Sequence, residues 1–213
     1  MSFNGGFGPY VSVAKKREKA LKKIEKLRKK NPDITPVIIT GSKLATTWWG
    51  NSWNKNLESY CDYANRIQRG RTYVRNCAVL DLKITQGNIS ALVQGSETKP
   101  YKVNISISSL NKDVWQDMIK ECSGKIESLQ ELIEGRFPSA LSKLFTIKGR
   151  GLFPAPKEIS FNCSCPDYAD MCKHVAAVLY GVGSRLDENP ALFFVLRNVN
   201  IEELISETIN KKS

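Results

Sequence analysis

A chain of 213 residues that is 41% hydrophobic and 25% charged has the make-up of a soluble globular protein of one good-sized domain or two small ones, and it holds no apolar run long enough to span a membrane. Its net charge of +11 is front-loaded: residues 1–45 carry 11 Lys/Arg against 3 Asp/Glu, residues 46–150 carry 15 against 10, and residues 151–213 carry 6 against 8, a pattern that points to an acidic partner, with nucleic acid foremost. The N-terminus shows no apolar core with a cleavage site, so the cytosol is the expected compartment, and clustered cysteines there read as metal ligands rather than disulfides.

Residues 1–12 are Gly-rich and are expected to be mobile. Residues 13–30 are strong helix formers without Gly or Pro, and Asn31-Pro32 ends them. Val13, Ala20, Leu21, Ile24 and Leu27 make only a narrow apolar stripe. The segment therefore reads in two ways. It is a solvated, partly frayed helix, or it is a basic arm whose Lys15, Lys16, Arg17, Lys22, Lys23 and Lys26 contact phosphates. Residues 36–40 form a short strand stopped by Gly41. Thr46 and Thr47 then offer an N-cap to a helix with Trp49, Trp53 and Leu57 at helical spacing and Tyr60 on the same face. Rings so spaced are read as core rather than as a stacking platform for bases. Arg66, Arg69, Arg71 and Arg75 follow with no acid among them. They either clamp a phosphate backbone or belong to a solvated helix end followed by a turn at Gly70.

From Ala78 the period becomes twofold, with Leu80, Leu82 and Ile84 alternating against Asp81 and Lys83. A turn at Gln86-Gly87-Asn88, a second strand over 89–94 and a third over 100–108 predict an antiparallel three-stranded meander with one face covered by helices. Asp113 can cap a helix reaching Cys122, and residues 128–134 and 139–145 form two short helices. Gly149, Gly151, Pro154 and Pro156 mark a boundary. The expected division is a basic arm over 1–35, an α+β domain over 36–150, and a small zinc-bound strand–helix module with C-terminal helices over 151–213.

The spacing around the sole histidine carries the most chemistry. Residues 157–162 read as a strand leading into Cys163, and residues i and i+2 of an extended chain project to one side, so Cys163 and Cys165 can reach one ion. Pro166 stops the strand, and Asp170 can cap a helix starting near Cys172. Cys172 and His174 do not share a helix face, so they belong in its first turn, where the positive dipole end favours thiolates. Three thiolates and one imidazole form a closed tetrahedral set for one structural Zn²⁺, with Lys173 placed to offset excess negative charge. The competing readings are three buried thiols with an incidental histidine, or a Cys–His nucleophile pair lacking any second histidine as base. Cys61, Cys77 and Cys122 read as small buried hydrophobes. Gly181 and Gly183 are expected to end the ligand helix. Phe193, Phe194 and Leu196 close the core, and residues 201–209 form a surface helix.

The run Cys163-Ser164-Cys165, six residues, Cys172-Lys173-His174, then Val175 to Tyr180, resembles the SWIM zinc finger, whose pattern is CxC, a variable gap and CxH. The segments Thr47 to Trp53, Arg69 to Arg75, Val93 to Ser96 and Tyr101 to Val103 are similar to landmarks of compact prokaryotic SWIM-domain proteins, so the likeness covers about residues 36–198. The lysine-rich segment before Asn31 has no counterpart in it. The resemblance implies Cys163, Cys165, Cys172 and His174 as ligands. It also implies binding to nucleic acid or protein, since SWIM fingers occur in Mutator-type transposases, ubiquitin-ligase-linked proteins and recombination partners, and bacterial examples are linked to Snf-type helicase-like ATPases. The expected function is that of a zinc-binding, non-catalytic protein on nucleic acid, DNA foremost, acting beside such an ATPase. The alternative is an adaptor whose acidic zinc module docks on an ATPase or recombination protein. No acid–base pair, phosphate loop or open metal site supports an enzyme.

Overall fold

The computed structural model of the chain describes residues 12–59, 64–125, 129–136 and 138–209. The Gly-rich stretch before Ser12, along with Tyr60, Cys61 and Ser128, lies outside them. Ser12 caps the first helix by accepting from the Lys15 amide at 3.3 Å, and α1 runs Val13–Lys30. Thr47 caps α2 (Trp48–Glu58) by accepting from the Gly50 amide at 3.2 Å, and α3 follows as Ala64–Arg75. Three strands come next, β1 (Val79–Thr85), β2 (Asn88–Val93) and β3 (Tyr101–Ile107). Helices α4 (Lys112–Cys122), α5 (Leu129–Glu134) and α6 (Ser139–Thr146) lead to β4 (Ile159–Cys163). The chain then forms α7 (Lys173–Glu188), α8 (Ala191–Arg197) and α9 (Ile201–Ile209).

The protein is α+β, built on an antiparallel sheet of order β1-β2-β3-β4. The sheet has four strands where three are predicted. Beyond the meander, β4 pairs with β3 from Val103↔Cys163 to Ile107↔Ile159. The reason is the alternation of β3, whose buried Val103, Ile105 and Ile107 face the core and leave a pairing edge that Ile159, Phe161 and Cys163 extend on the same face. The Gly/Pro-rich segment around 149–156 is thus bridged by a hydrogen-bonded ladder.

The inner face of the sheet packs against α7, with Trp49, Trp53, Phe193 and Phe194 in the same buried cluster. Both tryptophan rings are fully buried with their N–H groups satisfied: Trp49 donates to the Leu132 carbonyl at 3.0 Å and Trp53 to that of Leu179 at 2.8 Å. The outer face is covered by α1 through Ala20 and Ile24, which pack with Ile34, Cys77 and Leu80. The basic helix is therefore docked on the sheet along one side.

Several local expectations are corrected. Leu80 does not share a face with Leu82, because a register shift between Val79 and Asp81 turns Leu80 outward to α1 while Val79 and Leu82 face inward. Residues 36–40 are not a strand. The Val37 amide reaches the Val79 carbonyl and the Leu82 amide that of Thr35, but Pro36 has no N–H to continue the ladder. Asn111, not Asp113, caps α4, accepting from the amides of Asp113 and Val114. Cys172, not Asp170, occupies the N-cap position of α7.

The glycines assigned to breaks lie inside helices. Gly70 sits in α3, where a Cβ would stand 2.5 Å from that of Ala176. Gly181 and Gly183 sit in α7. A Cβ on Gly181 would press on Leu82 and Val37, and one on Gly183 would strike the Asn54 side chain. Their absent side chains let α3, α2 and the sheet close on α7, a gain that outweighs their poor helix propensity of about 1 kcal/mol each. Asp187, near the end of α7, accepts from the hydroxyls of Thr46 and Thr47 at 2.8 and 2.6 Å and fixes the start of α2.

Candidate metal centre

Strand β4 delivers Cys163 on the inward face, opposite Val103. The pairing continues one residue further, since the Ser164 amide donates to the Lys102 carbonyl at 3.0 Å and the Ser164 hydroxyl accepts from the Lys102 amide at 2.9 Å. The backbone thus stays extended, and Cys165 returns to the same side. Cys172 is extended at φ −70° and ψ 169°, and His174 follows in the first turn of α7. One ligand atom from each of these four residues lies within 4.8 Å of all the others. Nδ1 of His174 is 3.8 Å from the Cys163 sulfur and 3.9 Å from the Cys172 sulfur. Tetrahedral Zn²⁺ with ordinary Zn–S and Zn–N bonds separates its ligands by about 3.6–3.8 Å, so the donor set fits.

Cys172 and His174 are buried, while Cys163 and Cys165 are half-buried. The Cys172 thiol is held well below its usual pKa, first by the hydrogen bond from Cys163, then by the His174 side chain and the Val175 and His174 amides at the helix start, against an opposing effect of burial. Cys163, the donor of that bond, is raised by it and by burial. The helix start therefore favours the deprotonated ligand form of Cys172. A bound Zn²⁺ would stabilise all three thiolates and fold the finger around itself. Lys173 sits half-buried between two ligands. Cys77 and Cys122 are buried outside the site, where burial pushes the Cys122 thiol up to about 12 and raises that of Cys77.

The arginines of α3 divide by fate. Arg66 pairs with Asp167 of the finger loop at 3.1 Å. Arg71 pairs with Glu58 at 2.6 Å, donates to the Tyr180 hydroxyl at 2.8 Å and lies over that ring. Arg69 is exposed. Arg75 is exposed and donates to the Ser42 carbonyl at 3.1 Å. On α1, Arg17 donates to the carbonyls of Arg75 at 3.2 Å and Ile39 at 2.9 Å. Lys23 donates to the Gln94 side chain and to the Thr98 carbonyl, and burial lowers its pKa. Lys22 pairs with Glu18 on the surface, and Lys15, Lys16 and Lys26 are exposed.

Spacing alone flags neither the surroundings of His174 nor a buried ion pair at the far end of β4. The Tyr101 and Tyr73 rings lie 4.5 and 5.4 Å from the imidazole, centre to centre. Arg197, only 1% exposed, donates to Glu158 at 2.9 Å and to the Ser108 carbonyl at 2.8 Å. An arginine within the apolar run of α8 is the one sequence signal of that pair.

A Cys pair at a strand end and a Cys–His pair at a helix start, closed around four donors, define a structural zinc-finger protein. Residues 162–182 match the SWIM zinc finger model, and the chain carries that finger with all four ligands present. The chain is also 35% identical over 168 residues to the uncharacterized protein Rv2102 of Mycobacterium tuberculosis, an alignment taking in 78% of this chain and 60% of that protein. No solved structure matches it. Among the described residues, no helix is long and apolar enough to cross a membrane.

Proposed function

We propose that this zinc-binding protein is a non-catalytic nucleic-acid-binding protein of the cytoplasm that contacts DNA and works beside a Snf-type helicase-like ATPase. The reading rests on the meeting of two basic segments. Arg17 of α1 donates to the main chain of Arg75, so the start of α1 meets the end of α3. Arg17 and Arg75 are held by carbonyl oxygens, contacts that leave their positive charge uncancelled. Exposed Lys15, Lys16, Lys26 and Arg69 add further positive charge that can meet a phosphate backbone. Zinc stays structural in this reading, because four protein donors leave it no open position.

The test is binding to a DNA duplex measured against salt. A steep log–log dependence is expected, and each phosphate contact removed should flatten it by about 0.9. Because α1 covers Leu80, replacing Lys15, Lys16 and Lys26 by Gln is a cleaner test than deleting the helix. Affinity indifferent both to salt and to these substitutions would reject the reading. A second reading, an adaptor docking its zinc module on an ATPase or recombination protein, draws on the acidic balance of residues 151–213, 6 Lys/Arg against 8 Asp/Glu. Tyr168, 94% exposed on the finger loop, adds to it. Equal partner recovery by wild type and Cys172→Ala in a pull-down would count against it.

A further inference from the structure

Metal-bound histidines ordinarily donate their second ring N–H to a carboxylate, a carbonyl or a water, which sets the ring's orientation. His174 departs from this. Its Nδ1 faces the sulfurs of Cys163 and Cys172, and its Nε2, on a side chain 1% exposed, finds no hydrogen-bond partner among the described residues. Rings and a glycine surround it instead. Tyr101 of β3 lies over the imidazole, tilted by 31° and 4.5 Å away between centres. Tyr73 of α3 stands across it at 67° and 5.4 Å. At Gly95 a Cβ would lie 3.0 Å from Nε2 and would collide with the Tyr101 ring.

These residues come from segments that zinc-ligand spacing leaves unexplained. Gln94 holds the loop after β2, donating to the carbonyls of Gly95 and Glu97 at 2.9 and 2.6 Å and accepting from Lys23 of α1. Gly70 lets α3 approach α7 at Ala176, one turn before Tyr73 meets His174. Tyr101 shares the inward face of β3 with Val103, the residue opposite Cys163.

We propose that Tyr101, Tyr73 and Gly95 are the positioning residues of the zinc centre, holding the His174 imidazole by ring packing where a hydrogen-bond acceptor ordinarily stands, and so presenting Nδ1 to the metal. Tyr101 fixes the plane of the imidazole, Tyr73 closes its edge, and Gly95 leaves the space in which both can do so. The finger then depends on β3 and α3 as well as on its own segment.

Two measurements on the full-length zinc-loaded chain test this. His174 is the sole histidine, so a long-range ¹H–¹⁵N correlation spectrum reports its state without ambiguity. The expected result is a metal-bound Nδ1 and a protonated Nε2; a metal-bound Nε2 overturns the proposal without any variant having to fold. The second is zinc affinity by competition with a chromogenic chelator. Gly95→Ala and Tyr101→Leu should each weaken binding by about 10- to 100-fold, the usual effect of losing an outer-shell residue. Tyr101→Phe, which keeps the ring, should bind close to wild type. Wild-type affinity in both Gly95→Ala and Tyr101→Leu overturns the proposal, as does a loss in Tyr101→Phe equal to that in Tyr101→Leu.

Discussion

The two faces of the sheet are built by different means. The inner face is closed by α7 lying between α2, α3 and the strands, with glycines at the closest approaches, four tetrahedral donors at one end of β4 and the Arg197–Glu158 pair at the other. Among the described residues the outer face carries α1, held by Ala20 and Ile24 over Leu80 and Cys77. The contrast teaches that one sheet can divide its labour: the larger, metal-stapled side secures the fold, and the smaller side displays charge.

Removing the metal should break that contrast most. Structural zinc contributes on the order of 10 kcal/mol to folding of finger peptides. Chelation, or Cys172→Ser, is expected to abolish the cooperative thermal transition followed by circular dichroism; an unchanged transition would mean that the inner face stands without zinc. The next largest effect falls at the other end of β4. Arg197→Ala strands a partly buried Glu158 and the Ser108 carbonyl, and should cost about 3 kcal/mol in urea denaturation. On the outer face, Ile24→Ala removes a side chain 2% exposed and should cost about 2–3 kcal/mol. Hydrogen exchange should then rise in α1 while α7 stays protected, which sharpens the division; equal loss of protection in both would erase it. The smallest change is Lys22→Gln. Its pairing with Glu18 is fully exposed, so the thermal midpoint should not move.

Much of what could be read from neighbours a few residues apart was legible, although the caps assigned to Asp113 and Asp170 and the strand over 36–40 were not formed. Cys163/Cys165 and Cys172/His174 follow from what strands and helix starts do with i and i+2 spacing. The Thr47 cap, the turn at Gly87 and the burial of Trp49 and Trp53 rest on equally local rules. The arginines were not legible in this way, because Arg66 and Arg71 form ion pairs with Asp167 and Glu58, acids remote from the run that holds them. The glycines misled for a related reason. Gly70, Gly181 and Gly183 have the composition of a break, but the space they leave is filled by Ala176, Leu82, Val37 and Asn54, and no local window contains those neighbours.

By itself, then, the sequence determined the identity of the zinc donors, the strand-then-helix form of the finger and the α+β class, since each depends on backbone geometry over a few residues. Only the tertiary structure decided that β4 would join the meander, that a register shift would turn Leu80 to α1, and that Tyr101, Tyr73 and Gly95 would enclose His174. These outcomes depend on which surfaces meet, and packing between segments tens of residues apart leaves no periodic trace in the chain.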